Sequence, residues 1–172
     1  MKTLTIDRSR LSSTVSALTV LSILLFFVMN QIAYGAGAPS RPSTTSEPAA
    51  QKREKANVYF KEGVALQEMK KYKEASTKYE KAVKVDSKYA EAWSNLGYTY
   101  RKQGQFDKAV RAYKKAIKLK PDLAEAHEYL GEAYAEMGKF DLAEKELKIL
   151  RDLGSDEADE LEEFIEKMKA KS

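Results

Sequence analysis

From Ala56 onward, apolar residues recur at spacings of three and four, the period at which side chains share one face of an α-helix. Within residues 90–123 they fall at Trp93, Leu96 and Tyr100, pause at Gly104, and resume at Phe106, Ala109, Val110, Tyr113, Ala116 and Ile117. This predicts a helix, a short turn and a second helix. A shift of 34 residues upstream meets Tyr59, Gly63 and Ala75, and the same shift downstream meets His127, Gly131 and Ala143. Three copies are therefore expected, at 56–89, 90–123 and 124–157, and a fixed period of this length is the signature of stacked helical hairpins. Punctuation keeps the same register. Gly104 and Gly138 suit helix ends that need a left-handed residue, and Asp107 and Asp141 suit the start of the next helix. Pro121 and Asp122 mark the break before the third copy, where Asp122 with Glu125 is expected to form a capping box.

The small and large residues in this register divide the packing between them. Gly97 and Ala109, with their counterparts, are expected where two helices of a hairpin approach closely, and the aromatics fill the space between hairpins. A single hairpin cannot bury its own apolar face, so copies complete each other and the last one needs a lid. Residues 155–172 are expected to provide it. Leu161, Phe164, Ile165 and Met168 fall at i, i+3, i+4 and i+7, with Asp159, Glu160, Glu162, Glu163, Glu166 and Lys167 around them, and Ser155 is the expected N-cap.

The pattern resembles the tetratricopeptide repeat family. Trp93, Leu96-Gly97, Tyr100, Ala109, Tyr113, Ala116 and Pro121 follow the family signature in full. The first copy follows it with Tyr59, Gly63, Ala75, Tyr79 and Ala82 and departs at Glu62 and Ser87. The third follows it with Leu130-Gly131, Tyr134 and Ala143 and departs at His127, Leu147, Leu150 and Ser155. The resemblance implies an all-α, right-handed superhelical solenoid of three hairpins plus a C-terminal capping helix. It also implies a non-enzymatic module that binds a segment of another protein in a concave groove.

In such proteins the groove is lined by the first helix of each repeat. The positions implied are Asn57, Phe60, Val64, Gln67 and Glu68 in the first copy; Glu91, Ser94, Tyr98, Arg101 and Lys102 in the second; and Glu125, Glu128, Glu132, Ala135 and Glu136 in the third. These read as a gradient from an apolar end to an acidic one. The expected partner is an extended or helical segment with an apolar side chain on Phe60, Val64 and Tyr98 and a basic stretch against Glu125, Glu128 and Glu132. One branch of the family clamps a chaperone's C-terminal carboxylate with Lys, Asn and Arg. Of those positions only Asn95 matches, while Phe60, Val64, Glu125 and Tyr129 occupy the others, so that ligand is not expected. A self-associating structural protein, stacking through Phe60 and the uncapped N-terminal face, is the alternative.

The residues before the repeats bear on location. Lys2, Arg8 and Arg10 precede an apolar run at 15–29, and small residues follow at Gly35, Ala36, Gly37 and Ala38. This reads as an export signal over 1–38, either cleaved or kept as a membrane anchor, since the run is shorter than the roughly 20 residues a spanning helix needs. The expected location is periplasmic, or membrane-anchored facing an envelope compartment, with the membrane touched only through this segment. Residues 39–55, rich in Pro, Ser, Thr and Ala, read as a disordered linker.

Composition narrows the chemistry further. The 172 residues include no cysteine and one histidine, which leaves no thiolate chemistry and no zinc ligand set. His127 stands where the other copies have Tyr59 and Trp93, and is expected to pack. The net charge of +4 is too small to argue for nucleic acid, and the lysines at 114–120 alternate with core positions as the wet side of a helix does. The acidic run at 157–166 lacks the glycine and aspartate spacing of a calcium loop. No cofactor is expected.

Overall fold

The computed structural model describes residues 47–172, so the expected export segment and most of the expected linker lie outside the described residues. Seven helices follow one another: α1 (Ala49–Glu68), α2 (Tyr72–Val85), α3 (Ala90–Lys102), α4 (Phe106–Leu119), α5 (Ala124–Glu136), α6 (Phe140–Leu153) and α7 (Glu157–Lys169). No strand is present among the described residues. The pairs α1/α2, α3/α4 and α5/α6 are hairpins stacked in chain order, and α7 packs on both α5 and α6. Across repeat boundaries α3 also meets α5, whereas α2, α4 and α6 make no comparable contact with one another. First helices therefore form the inner wall of the array and second helices the outer one.

The glycine of each first helix is a seat for a large side chain. A Cβ on Gly63 would stand 2.6 Å from the Tyr79 ring, and one on Gly97 would stand 2.6 Å from the Tyr113 ring. Real Cβ atoms do not approach so closely in a close-packed interior. In the third hairpin the aromatic position is Leu147, and the seat at Gly131 is filled by Leu161 of α7, 2.5 Å from where a Cβ would be. Leu161 and Ile165 are fully buried with Leu150 and Ala143, so the last helix completes the core of the last repeat.

Helix starts differ from the sequence reading in three places. Helix α1 begins at Ala49, inside the segment 39–55 expected to be linker. Residues 49–55 are mostly good helix formers without large apolar groups, and what fixes them is charge. The Arg53 guanidinium donates to Asp86 at 2.5 Å and lies 4.1 Å over the Tyr89 ring. The capping box at Asp122 and Glu125 does not form, because the N-cap of α5 is Leu123, with no side-chain cap bond; its apolar side chain is buried in the array instead. Ser155 likewise does not cap α7: the N-cap is Asp156, and the Ser155 hydroxyl donates to the Glu157 carboxylate.

Helix ends follow the reading. Gly104 and Gly138 take φ of +73° and +71°. The first copy places Lys70 at the same register position, also left-handed at φ +59°.

Candidate protein-binding groove

Three first helices supply the inner face, and its surface is a chain of aromatic rings ending in carboxylates. At the N-terminal end, Phe60 is half-buried between Tyr79 and Tyr89, with ring centroids 5.7 and 5.0 Å away. Val64 packs on the same cluster. Asn57 and Gln67 accept hydrogen bonds from the Tyr89 and Tyr79 hydroxyls at 3.2 and 3.1 Å. In the centre, Tyr98 lies 6.2 Å from Tyr72 and 5.2 Å from Tyr129. The Lys102 ammonium stands 5.2 Å over the Tyr98 ring, and its side chain is exposed. Glu91 is half-exposed and pairs with Lys120 at 3.2 Å.

Ser94 and Arg101, expected to face a partner, are not available to one. Ser94 is fully enclosed, because α3 has α2 on one side and α5 on the other. Arg101 is 4% exposed. Its guanidinium pairs with Glu132 and, at 2.9 Å, with Glu136 of the next first helix, and it lies 5.6 Å over Tyr98 and 6.0 Å over Tyr129. A buried cation needs such partners, so Arg101 ties the second repeat to the third. Glu132 is accordingly half-engaged from within the chain, and Ala135 is buried as well.

The acidic end is denser than the register suggested. Glu125 and Glu128 lie on α5 within reach of Glu157 and Glu160 of α7, and neither has a cationic partner among the described residues. Burial, then the neighbouring Glu132, Glu160, Glu157 and Glu125, push the Glu128 carboxyl up to about 8. Burial followed by Glu91 and Glu157 raises Glu125. Burial also raises Glu132, against the pull of Arg101 and Lys102. Desolvation and like charge both disfavour the ionised form, so this end of the groove is a site that a cation would relieve.

Sequence reasoning missed Tyr72, Tyr129, Glu157 and Glu160. In the sequence Tyr129 reads only as a mismatch to a carboxylate clamp, and the two glutamates only as a wet helix face. The signal that could have found the glutamates is the packing of α7 on α5, which brings its first turns beside the i, i+3, i+7 carboxylates at Glu125, Glu128 and Glu132.

His127 does more than fill space. It is buried, with Nε2 2.9 Å from the Pro121 carbonyl and Nδ1 2.7 Å from the Glu146 carboxylate. Both partners are acceptors, so the protonated ring can donate to each of them at once. The Glu146 hydrogen bond, opposed by burial and helped by Pro121, raises the histidine above its ordinary value. No group of His, Asp or Glu among the described residues is arranged to hold a metal ion.

With this geometry in hand, the chain can be placed among known proteins. Residues 56–104 and 97–138 match the family model described as TPR repeat. No curated protein matches the chain. Among solved structures, the first TPR of Spaghetti bound to an HSP90 peptide, SRMEEVD, is 23% identical, with a TM-score of 0.62 over 68% of this chain and 95% of that one. The Yersinia enterocolitica type III secretion chaperone SycD, in complex with a peptide of the translocator YopD, is 16% identical, with a TM-score of 0.62 over 69% and 95%. MamA is 32% identical, with a TM-score of 0.53 over 68% of this chain and 61% of that one. The described helices thus form an all-α helical-repeat solenoid, similar in fold to these TPR structures.

Proposed function

We propose that the chain is an adaptor or assembly factor whose inner groove holds a segment of another protein, with lysine or arginine against the acidic end and an apolar side chain against the central tyrosines. The observation that carries this reading is the carboxylate cluster of Glu125, Glu128, Glu157 and Glu160, beside the ring surface of Tyr98 and Tyr129. The structural neighbours include repeat domains bound to peptides of other proteins, which supports the mode of binding and not the ligand. The SRMEEVD peptide in particular carries acidic residues that this groove would repel. The proposed setting is an exported or membrane-tethered one, on the strength of the N-terminal sequence alone.

Fluorescence anisotropy of labelled peptides with the full chain tests the polarity. Lys/Arg-rich peptides with one aromatic or leucine side chain are expected to bind, and Asp/Glu-rich ones to be excluded from this groove. Glu128→Gln with Glu160→Gln should weaken the basic peptide about tenfold, the effect of roughly 1.4 kcal/mol. Because a cation favours the ionised carboxylate, affinity should rise with pH through about 8, where Glu128 loses its proton. Basic peptides that bind equally well at pH 6 and pH 9 and to the double variant would remove this reading.

A further inference from the structure

The opposite side of α3 carries a second recess with the reverse chemistry. Trp93, Leu96 and Tyr100 of α3 and Ala112 of α4 form its apolar floor, and Lys108, Arg111 and Lys115 of α4 form its rim, around a shallow, open depression of about 430 Å³. On the helical wheel these α3 residues point away from Glu91 and Tyr98 of the groove. The polar atoms of the floor are already satisfied. The Trp93 indole donates to the Ser87 carbonyl at 3.1 Å and the Tyr100 hydroxyl donates to Glu80 at 2.6 Å. Leu96 and Ala112 are themselves buried, so what remains open is the ring surface of Trp93 and Tyr100.

The rim is cationic by choice of residue and not by the needs of the fold. One period upstream the three rim positions are Glu74, Thr77 and Lys81, and one period downstream they are Leu142, Lys145 and Ile149. Only the central copy puts three cations there. None of the three has a carboxylate partner among the described residues, in a molecule whose other surface cations are often paired. Lys108 reaches back over the Tyr100 ring at 5.3 Å. Positions i, i+3 and i+7 set the cations along about 10 Å of one helix edge.

We propose that this outer seam is a second docking surface, for an acidic protein segment that places one apolar side chain on Trp93 and Tyr100 and carboxylates against Lys108, Arg111 and Lys115. A flat anionic bilayer fits less well, because the apolar floor is recessed between α3 and α4 and the Glu80 carboxylate, which accepts from the Tyr100 hydroxyl, stands at its edge. With the inner groove taking cations, the array would hold two partners of opposite charge on opposite faces.

Trp93 is the only tryptophan, so its emission reports this seam and not the groove. The full chain is titrated with a 12-residue Asp/Glu-rich peptide containing one central leucine, followed by tryptophan emission and by anisotropy of the labelled peptide. Saturable binding with a shift in Trp93 emission is expected. Arg111→Gln with Lys115→Gln, both at the surface and checked by circular dichroism, should weaken it at least tenfold, as should replacing the leucine with serine. Affinity should fall steeply between 50 and 300 mM salt. Glu128→Gln should leave it unchanged, and a saturating Lys-rich peptide should not displace it, which separates this site from the groove. The proposal is overturned if the acidic peptide does not bind, if the double variant binds as the parent does, or if phosphatidylglycerol vesicles or duplex DNA move Trp93 emission at lower concentration than the peptide. It is also overturned if Trp93 emission shifts on concentrating the protein alone, since the occupant would then be a second copy.

Discussion

The second and third hairpins close the same gap with side chains from different places. In the second, Gly97 of α3 receives the Tyr113 ring from α4, its own hairpin partner; in the third, Gly131 of α5 receives Leu161 from α7, outside the repeat. The seat is kept and its occupant is exchanged. A repeat with another on both sides can fill its interior from within, whereas the terminal one, with leucine at the aromatic position, depends on the helix that follows it. Stability of the C-terminal third should therefore reside in α7 as much as in α5 and α6.

The sharpest way to break that comparison is to empty the seat. Leu161 is fully buried, and Leu161→Ala is expected to cost about 2 to 5 kcal/mol through lost transfer energy and a residual cavity, read by urea denaturation. Leu147→Ala, at a buried position away from the seat, should cost less, and a larger loss at Leu147 than at Leu161 would make Leu147 the occupant.

A finer test fills the seats instead. Gly97→Ala drives a methyl into the Tyr113 ring, which is itself fully buried and has nowhere to turn, and should cost about 1 to 3 kcal/mol as overpacking does. Gly131→Ala meets the branched end of Leu161, which can adjust within its rotamers. Alanine also returns up to about 1 kcal/mol of helix propensity. Gly131→Ala should therefore be clearly milder, and equal losses at the two sites would mean that Leu161 is held as rigidly over its glycine as Tyr113 is.

These two positions also show what could be read from the chain beforehand. The period, the small residues at Gly63, Gly97 and Gly131 and the left-handed turns were legible because each is a local steric demand repeated in register; the aromatics were expected between hairpins, whereas the Tyr79 and Tyr113 rings sit on the glycines of their own hairpins. The lid was legible because an amphipathic helix followed a repeat that lacked its aromatic. The start of α1 was not, since Arg53 secures it through Asp86 and Tyr89, far along the chain in the next hairpin's approach, and an ion pair leaves no periodic trace. For the groove, register placed Tyr98, Glu125 and Glu128 on the inner face. It could not foresee that Arg101 would be consumed by Glu132 and Glu136 of the next repeat, because a repeat position says which way a side chain points and not what meets it there.

Position four of the repeat extends the comparison into pH. Trp93 donates its indole N–H to the Ser87 carbonyl, and His127, one period on, donates Nε2–H to the Pro121 carbonyl, one period on as well. The histidine keeps the tryptophan's bond and adds an ion pair with Glu146. Since its folded pKa is raised above 6.5, this contribution is fully present below pH 6.5 and is lost as pH rises through the folded value. Glu146→Gln should therefore destabilise the protein by about 1 to 2 kcal/mol at pH 6 and by much less at pH 9. A loss independent of pH would mean that the ring is neutral in the native state.

The smallest expected effect concerns the turn between helices. Gly104 and Gly138 are left-handed, and a Cβ at either position would meet nothing within 4 Å, so only backbone conformation selects glycine there. The first repeat asks the same conformation of Lys70, at a cost of about 1 to 2 kcal/mol for an L-residue. Lys70→Gly removes that strain but also frees the unfolded chain, which takes back about 0.5 to 1 kcal/mol. A net gain of about 0.5 to 1 kcal/mol is expected for Lys70→Gly, and a loss of the same size for Gly138→Lys, both from thermal or urea melts. Because Lys70 is exposed and a Cβ at position 138 would meet nothing within 4 Å, opposite signs of similar size would show that the three turns are one structure with two residue types. Two losses would mean that the Lys70 side chain holds the first turn by a contact its backbone does not reveal.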